Sequence, residues 1–197
     1  MAIDKVSVFN LALTRIGGDP TIQGPNEISA EMEQLTAVYD FSLQATLAAY
    51  DWNFARRKEA LASTGNTPHD WLYEYTYPAD CIVVRRLSDG NRKLIDIPFE
   101  IVLKKGLQEK VIQTDLEGAY AIYTAPVTSI RLFTDQFIEA LSWKLGAEVA
   151  LGLTGDKGIR ADCLDAFTAF IGSASADSLD EGMSDEPAEP DHLAARQ

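Results

Sequence analysis

Helical periodicity occurs at both ends of this chain, and a period of two occurs between them. Apolar residues recur every three or four positions in residues 4–16, 29–55 and 134–174. Between residues 70 and 133, aromatic and β-branched residues alternate with polar ones in short runs separated by turn signals. Helices at opposite ends of a chain must bury their apolar faces against other elements. The pattern therefore predicts an α+β fold, in which N- and C-terminal helices form a bundle with an inserted small antiparallel β-sheet.

The same pattern divides the chain into three parts. Residues 1–67 and 134–176 are expected to form the helical bundle, and residues 68–133 the β-rich insert. Because neither glycine nor proline interrupts residues 29–55, we expect one long helix there. Residues 177–197 hold seven acidic residues and one arginine. Such a segment buries too little apolar area to fold alone, so we expect an extended acidic tail.

The charge balance limits the classes of partner. The chain carries 17 basic and 30 acidic residues, which gives a net charge of −13. A protein that neutralises phosphates usually has the opposite sign, so free-standing nucleic-acid binding is not expected. No apolar run approaches the ~20 residues of a membrane span, and the N-terminus does not resemble a secretory signal. We therefore expect no membrane contact and synthesis in the cytoplasm.

No group of residues stands out in the sequence as a catalytic centre. Cys81 and Cys163 lie far apart and lack the spacing of zinc ligands. His69 precedes Asp70, but adjacency alone does not bring a nucleophile to the pair. Residues 152–158 lack the G-x-x-x-x-G-K-[ST] spacing of a phosphate loop. We expect no catalytic, cofactor-binding or metal-binding residues.

A basic run, Arg56-Arg57-Lys58, is the clearest positive patch in this acidic sequence. A phosphate-binding patch is one interpretation. Salt bridges to acidic surface, either within the chain or across a subunit boundary, are the favoured one, because arginine pairs well with carboxylates.

Four motifs, taken in their order along the chain, resemble a known family. They lie at residues 10–17, 52–62, 71–81 and 137–150 and read NLALxRIG, WNFARRxxxLA, WxYxYxYPADC and FxEALxxKLxAEVA. This order and spacing resemble the tail tubular protein A family, the head-to-tail adaptors of short-tailed bacteriophages. The resemblance extends over roughly residues 4–155.

The resemblance implies a structural protein of the virion neck, without catalytic activity. It implies a homo-oligomeric ring of roughly twelve copies between the portal protein and the tail nozzle or tail tube. Double-stranded DNA would pass through the channel of this ring without specific binding. Under this interpretation Arg56 and Arg57 lie at the subunit interface, and residues 177–197 dock on the portal. The tail residues expected to take part are Asp177, Leu179, Asp180, Glu181, Met183, Asp185, Glu186, Glu189, Asp191 and Leu193.

Aromatic residues in two of the motifs are candidate structural anchors. Trp52 and Phe54 stand where the predicted long helix gives way to the β-rich part, and we expect their buried rings to fix that junction. Tyr73 and Tyr75 belong to an alternating run, so we expect them to support the core of the sheet.

Three other classes of protein stay open. A stopper or head-completion protein of another family is the first, although such proteins usually lack a sizeable β insert. A virion-associated peptidoglycan hydrolase is the second, and it would need two convergent carboxylates. A stand-alone regulator or chaperone that binds partners through its acidic tail is the third.

Overall fold

A computed structural model describes residues 3–91, 96–104, 106 and 109–182, with side chains as far as residue 174. The described part has four α-helices and six strands in two antiparallel sheets, which confirms the predicted α+β fold class. The helices are α1 (Lys5–Arg15), α2 (Ala30–Ala49), α3 (Asp135–Thr154) and α4 (Lys157–Gly182). The strands are β1 (Arg56–Ala60), β2 (Tyr73–Thr76), β3 (Val83–Ser88), β4 (Phe99–Lys104), β5 (Glu109–Thr114) and β6 (Tyr120–Thr124).

The helical bundle closes around α3, which comes from the far end of the chain. Phe137, Leu141 and Leu145 on this helix are fully buried, and α1, α2 and α4 all pack against it. Phe9 of α1 and Leu35 of α2 are buried in the same core. Segments separated by more than 100 residues therefore share one apolar interior, as the periodicity at both ends of the sequence predicted.

The helices α3 and α4 form a hairpin. A left-handed glycine, Gly155 with φ 71°, ends α3, and α4 begins two residues later. The helix α4 continues to Gly182, beyond the predicted start of the tail at residue 177. Residues 177–182 are thus helical and not extended, and residues 183–197 lie outside the described residues.

The second helix is shorter than the sequence suggested. The prediction of one helix over residues 29–55 is wrong, because α2 ends at Ala49 and a short 3₁₀ turn follows at Asn53–Ala55. Neither glycine nor proline ends it. The cap residue Tyr50 is extended, with φ −143° and ψ 157°, and a side chain from the β-rich part binds the last carbonyls of the helix. A tertiary contact therefore ends this helix.

The β-rich part consists of two sheets, where the sequence predicted one. Sheet A has the strand order β1-β6-β3, and sheet B has the order β2-β5-β4. Residues 56–60, which the sequence-based division assigned to the bundle, form β1 and pair with β6. All five side chains of β1 are exposed, so this strand shows no alternation of apolar and polar residues that could have marked it.

A second, smaller core lies in the β-rich part. Tyr75 and Ile112 of sheet B share this core with Leu87, Ala121 and Tyr123 of sheet A. None of the helices in the described ranges is long and apolar enough to cross a membrane.

Candidate functional site

An aromatic cluster joins the bundle to the β-rich part. The ring of Trp52 lies 5.1 Å from that of Phe137, and the ring of Phe54 lies 5.0 Å from it, both edge-on. Trp52 is 3% exposed, and its indole Nε1 donates a 2.8 Å hydrogen bond to the carbonyl of Thr46. Phe133 packs on both phenylalanines. The two predicted anchors, Trp52 and Phe54, therefore lie together at the start of α3. We call this aromatic cluster the junction.

Arg85 supplies the missing cap of α2. Its Nη2 donates to the carbonyls of Leu47, Ala48 and Tyr50 at 3.0, 3.0 and 2.6 Å, and its Nε donates to Thr124 Oγ1 at 2.9 Å. A cation at the C-terminal end of a helix also interacts favourably with the helix dipole. Burial lowers the pKa of Arg85 from its usual value, the opposing effect of nearby Asp51 being smaller, yet an arginine keeps its charge at neutral pH.

A β-bulge directs Arg85 towards the helix. The pairing of β3 with β6 shifts by one residue between Val84 and Arg86, so Arg85 is the extra residue. Such a bulge bends the strand and reorients one side chain. The sequence alone does not distinguish Arg85 from Arg86. Only the pairing register of β3 with β6 shows that their roles differ.

Polar residues of the first and last motifs bind each other between α1 and α3. Arg15 forms a 2.5 Å ion pair with Glu139, and its guanidinium carbon lies 4.3 Å from the ring centroid of Trp143. Trp143 Nε1 in turn donates to the same carboxylate at 3.2 Å. Lys144 and Glu148, one turn apart on α3, pair at 2.6 Å. Arg15 therefore links α1 to α3, whereas the pair of Lys144 and Glu148 lies within α3.

Both arginines of the predicted subunit interface are paired within the chain. Arg56 binds Asp51 through two bonds, Nε–Oδ1 at 3.0 Å and Nη2–Oδ2 at 2.9 Å. Arg57 forms an ion pair with Asp80, and its side chain is still 57% exposed. Since β1 is an edge strand of sheet A, both residues can also reach a neighbouring subunit, and their role there stays a prediction.

Tyr73 and Tyr75 lie on the inner face of sheet B, with their rings stacked at 6.4 Å. Tyr75 is buried, and its hydroxyl donates to the carbonyl of Leu116 and accepts from the amide of Gly118. Tyr73 is half-buried. The deeper tyrosine therefore connects β2 to the turn that precedes β6.

Glu74, between these two tyrosines, is a buried carboxylate that the sequence analysis missed. Alternation places it on the outer face of sheet B, yet it is only 6% exposed because residues 63–66 cover it. Burial alone raises the pKa of Glu74, but four hydrogen bonds together lower it to about 2. The donors are Lys104 Nζ (2.9 Å), Asn66 Nδ2 (2.9 Å), Thr64 Oγ1 (2.8 Å) and Gln113 Nε2 (3.2 Å).

Replacing Glu74 with glutamine should lower the free energy of unfolding by about 2–3 kcal/mol at pH 7, because Lys104 loses its partner and an amide NH₂ faces other donors. The lowered pKa stabilises the fold above about pH 4.3, the unfolded value, and this contribution fades as the pH falls towards 2. Urea unfolding at several pH values measures the effect, and the difference between the two proteins should shrink below pH 4.

Glu100→Gln is the matched control for this variant. Glu74 of β2 and Glu100 of β4 both pair with Gln113 of the central strand β5, but Glu100 is exposed. Its loss should cost less than about 0.5 kcal/mol. Equal effects of the two substitutions would show that the buried network contributes nothing of its own.

A pocket of about 540 Å³ opens beside this network. Its lining includes Lys104, Lys110, Tyr77 and Cys81. The thiol of Cys81 donates to the Tyr77 hydroxyl at 3.2 Å, and burial raises the pKa of this thiol, so it is protonated at neutral pH. Lys104 is already neutralised by Glu74. The arrangement offers a polar recess but no activated nucleophile at this position.

Two carboxylates converge on one phenol at the edge of sheet A. Glu59 Oε2 and Asp80 Oδ1 each lie 2.9 Å from the hydroxyl of Tyr123, whose ring is fully buried. Burial, followed by the hydrogen bonds to these two acids, raises the pKa of Tyr123. Asp80 is also bound by Arg57. Neither acid lines the pocket described above.

Two comparisons with known proteins found no match. No protein-family model matches the chain, and no curated protein matches it. The four motifs and the contacts among their residues are therefore the basis of the functional proposal.

Proposed function

We propose that this chain is a structural subunit of a phage head-to-tail adaptor, which forms a ring between the portal and the tail nozzle. One observation carries the proposal: residues of motifs that lie far apart in sequence contact each other. Arg15 of the first motif pairs with Glu139 of the last, and Trp52 of the second packs on Phe137 of the last. These contacts place the motif residues around one core, which is what a common fold signature requires.

The distribution of charge also supports the proposal. Residues 56–124 hold ten basic and ten acidic residues, whereas the rest of the chain holds seven basic and twenty acidic ones. The whole excess of negative charge therefore belongs to the helical parts and the tail. An acidic wall repels the phosphates of a passing duplex and leaves water and ions between them, which suits a conduit better than a basic wall does.

The acidic tail is the proposed contact with the portal. Leu193 and Met183 would serve as apolar anchors, and the surrounding acids would give register against basic grooves. We expect deletion of residues 183–197 to abolish co-sedimentation with the cognate portal ring in a sucrose gradient. The helix α4, which ends at Gly182, stays whole in this variant, so circular dichroism should still report a folded helical protein.

A neutralised tail is the matched control for the deletion. Changing Asp185, Glu186, Glu189 and Asp191 to their amides keeps the length and the apolar anchors. This variant should bind the portal at least tenfold more weakly, with a smaller dependence on salt than the unmodified chain. Unchanged portal binding by the deletion variant would contradict the assignment of the tail.

A peptidoglycan hydrolase is the second candidate, and the convergence of Glu59 and Asp80 is the one observation that favours it. In this arrangement both acids are engaged by Tyr123, and Arg57 also binds Asp80. We expect no clearing of a peptidoglycan suspension by the purified chain. Clearing that disappears in Glu59→Gln would favour the hydrolase over the adaptor.

A further inference from the structure

The outer face of sheet A carries a row of two cations around an isoleucine. Lys58 of β1, Ile122 of β6 and Arg86 of β3 are cross-strand neighbours. Side chains alternate along a strand, so this row faces away from the core formed by Ala121 and Tyr123. Ile122 is nevertheless buried, and the stems of the two long side chains are in position to cover it. We call this surface the basic face.

Both cations of the basic face lack an acidic partner within the described ranges. Arg86 Nε is buried and has no hydrogen-bond acceptor. The ammonium of Lys58 is exposed, and its contacts among the described residues are the carbonyl of Gly90, at 3.4 Å, and the ring of Tyr120. Asp89 is the acid that feels the charge of Lys58, but hydrogen bonds from Asn91 hold its carboxylate and are the larger cause of its lowered pKa, to which Lys58 contributes. A buried unpaired donor is costly, so this face is suited to receive an anion.

The neighbouring arginines are already engaged. Arg85 caps α2, and Arg56 binds Asp51. Their donors are therefore less free to bind an anion than those of Lys58 and Arg86.

The path of α4 brings the start of the acidic tail to the end of the bundle that carries the junction. The helix α3 has 20 residues and begins at the junction, and α4 has 26 residues and returns along it after a two-residue turn. At 1.5 Å per residue these helices span about 30 and 39 Å, so α4 ends beyond the level of the junction. Residues 183–197 follow there, and they can span up to about 50 Å.

We propose that residues 183–197 dock on the basic face of their own chain, with the acids of Asp185–Asp191 against Lys58 and Arg86. This inference does not depend on the adaptor assignment, because it uses only charge, reach and the unpaired donors. Exposed pairs of this kind are individually weak. The docked tail is therefore released readily when a partner with a deeper site binds it, and until then it is held away from other basic surfaces.

Zero-length crosslinking of the full chain tests the contact. Carbodiimide joins lysine amines to carboxylates in direct contact, and mass spectrometry identifies the pair. We expect links from Lys58 to Asp185, Glu186, Glu189 or Asp191, with a yield at least fivefold lower in 0.5 M NaCl because exposed pairs are screened. Lys157, exposed at the opposite end of α4, is the internal control and should give none to these acids.

Two further arms identify the occupant. In a mixture of ¹⁵N-labelled and unlabelled protein, the proposal expects links only within one isotope. Arg86→Glu should lower the yield at Lys58 at least fivefold, whereas Arg160→Glu at the far end should not change it. Links of mixed isotope would assign the face to a second copy. The proposal would be overturned if the tail were crosslinked only to Lys104 or Lys110, or if it formed no crosslinks. It would also be overturned if the basic face bound duplex DNA instead of the tail.

Discussion

Trp52→Ala should lower the free energy of unfolding by about 4 kcal/mol, which is the largest effect we expect from a single substitution. The indole is buried in the helical core, and it packs on Tyr50, Phe54 and Phe137. Truncation removes this apolar contact and leaves a cavity, and it also leaves the Thr46 carbonyl without its donor. Urea unfolding followed by circular dichroism measures the loss.

Two controls separate the contributions of Trp52. Trp52→Phe keeps most of the ring and loses only the Nε1 bond, so it should cost about 1–2 kcal/mol. Trp71→Ala removes a half-buried indole whose Nε1 contacts an exposed carboxylate at 3.3 Å, and it should cost about 1 kcal/mol or less. A loss at Trp52 no larger than that at Trp71 would contradict the role of the junction.

Arg85→Ala should lower the free energy of unfolding by about 3 kcal/mol. The substitution removes the donors that three carbonyls at the end of α2 and Thr124 Oγ1 share, and among the described residues no other side chain hydrogen-bonds to these atoms. The last turn of α2 should then open, so hydrogen exchange of its amides should become faster than that of α1. Arg85→Lys keeps a charge without the planar donors and should recover about half of the loss.

Arg86→Ala is the matched control for Arg85. The two arginines are adjacent in sequence, but the bulge turns only Arg85 to the helix. Because Arg86 Nε is buried without an acceptor, its removal should change stability by less than about 1 kcal/mol. Equal losses in the two variants would mean that the cap of α2 is not the source of the effect.

The sequence predicted those elements whose signal is local. Asp4, Ser29 and Thr134 cap their helices, because an N-cap depends on one side chain and an amide three residues away. The apolar stripe of α3 likewise follows from its own 3.6-residue period. Both signals lie within short segments, so the helix starts predicted near residues 4, 29 and 134 agree with the structure.

The prediction from sequence was wrong or incomplete where contacts with a distant segment determine the local structure. The helix α2 ends at Ala49 because Arg85, 36 positions later, binds its carbonyls. The strand β1 is visible only from its pairing with β6, since all its side chains are exposed. Glu74 occupies a position where alternation predicts solvent, and the chain at residues 63–66 folds over it. None of these contacts produces a recognisable pattern in the sequence of the segment that it affects.

The candidate functional residues likewise include some that the sequence could indicate and others that it could not. Trp52, Phe54, Tyr73 and Tyr75 could be chosen as anchors because large aromatic residues are usually buried. The intrachain pairing of Arg56 and Arg57 could not be assigned to particular carboxylates, because Asp80 comes close to β1 only through the fold. The unpaired state of Lys58 and Arg86 depends on register and is likewise invisible in the sequence.

Electron microscopy of the full chain mixed with its cognate portal tests the adaptor proposal most directly. The account predicts a closed ring of about twelve copies seated on one face of the portal, with the carboxyl-terminal segment reaching into the portal and the acidic helices lining the bore. Images in which the portal stays bare, while the chain remains a monomer at concentrations well above those of the portal, would contradict it.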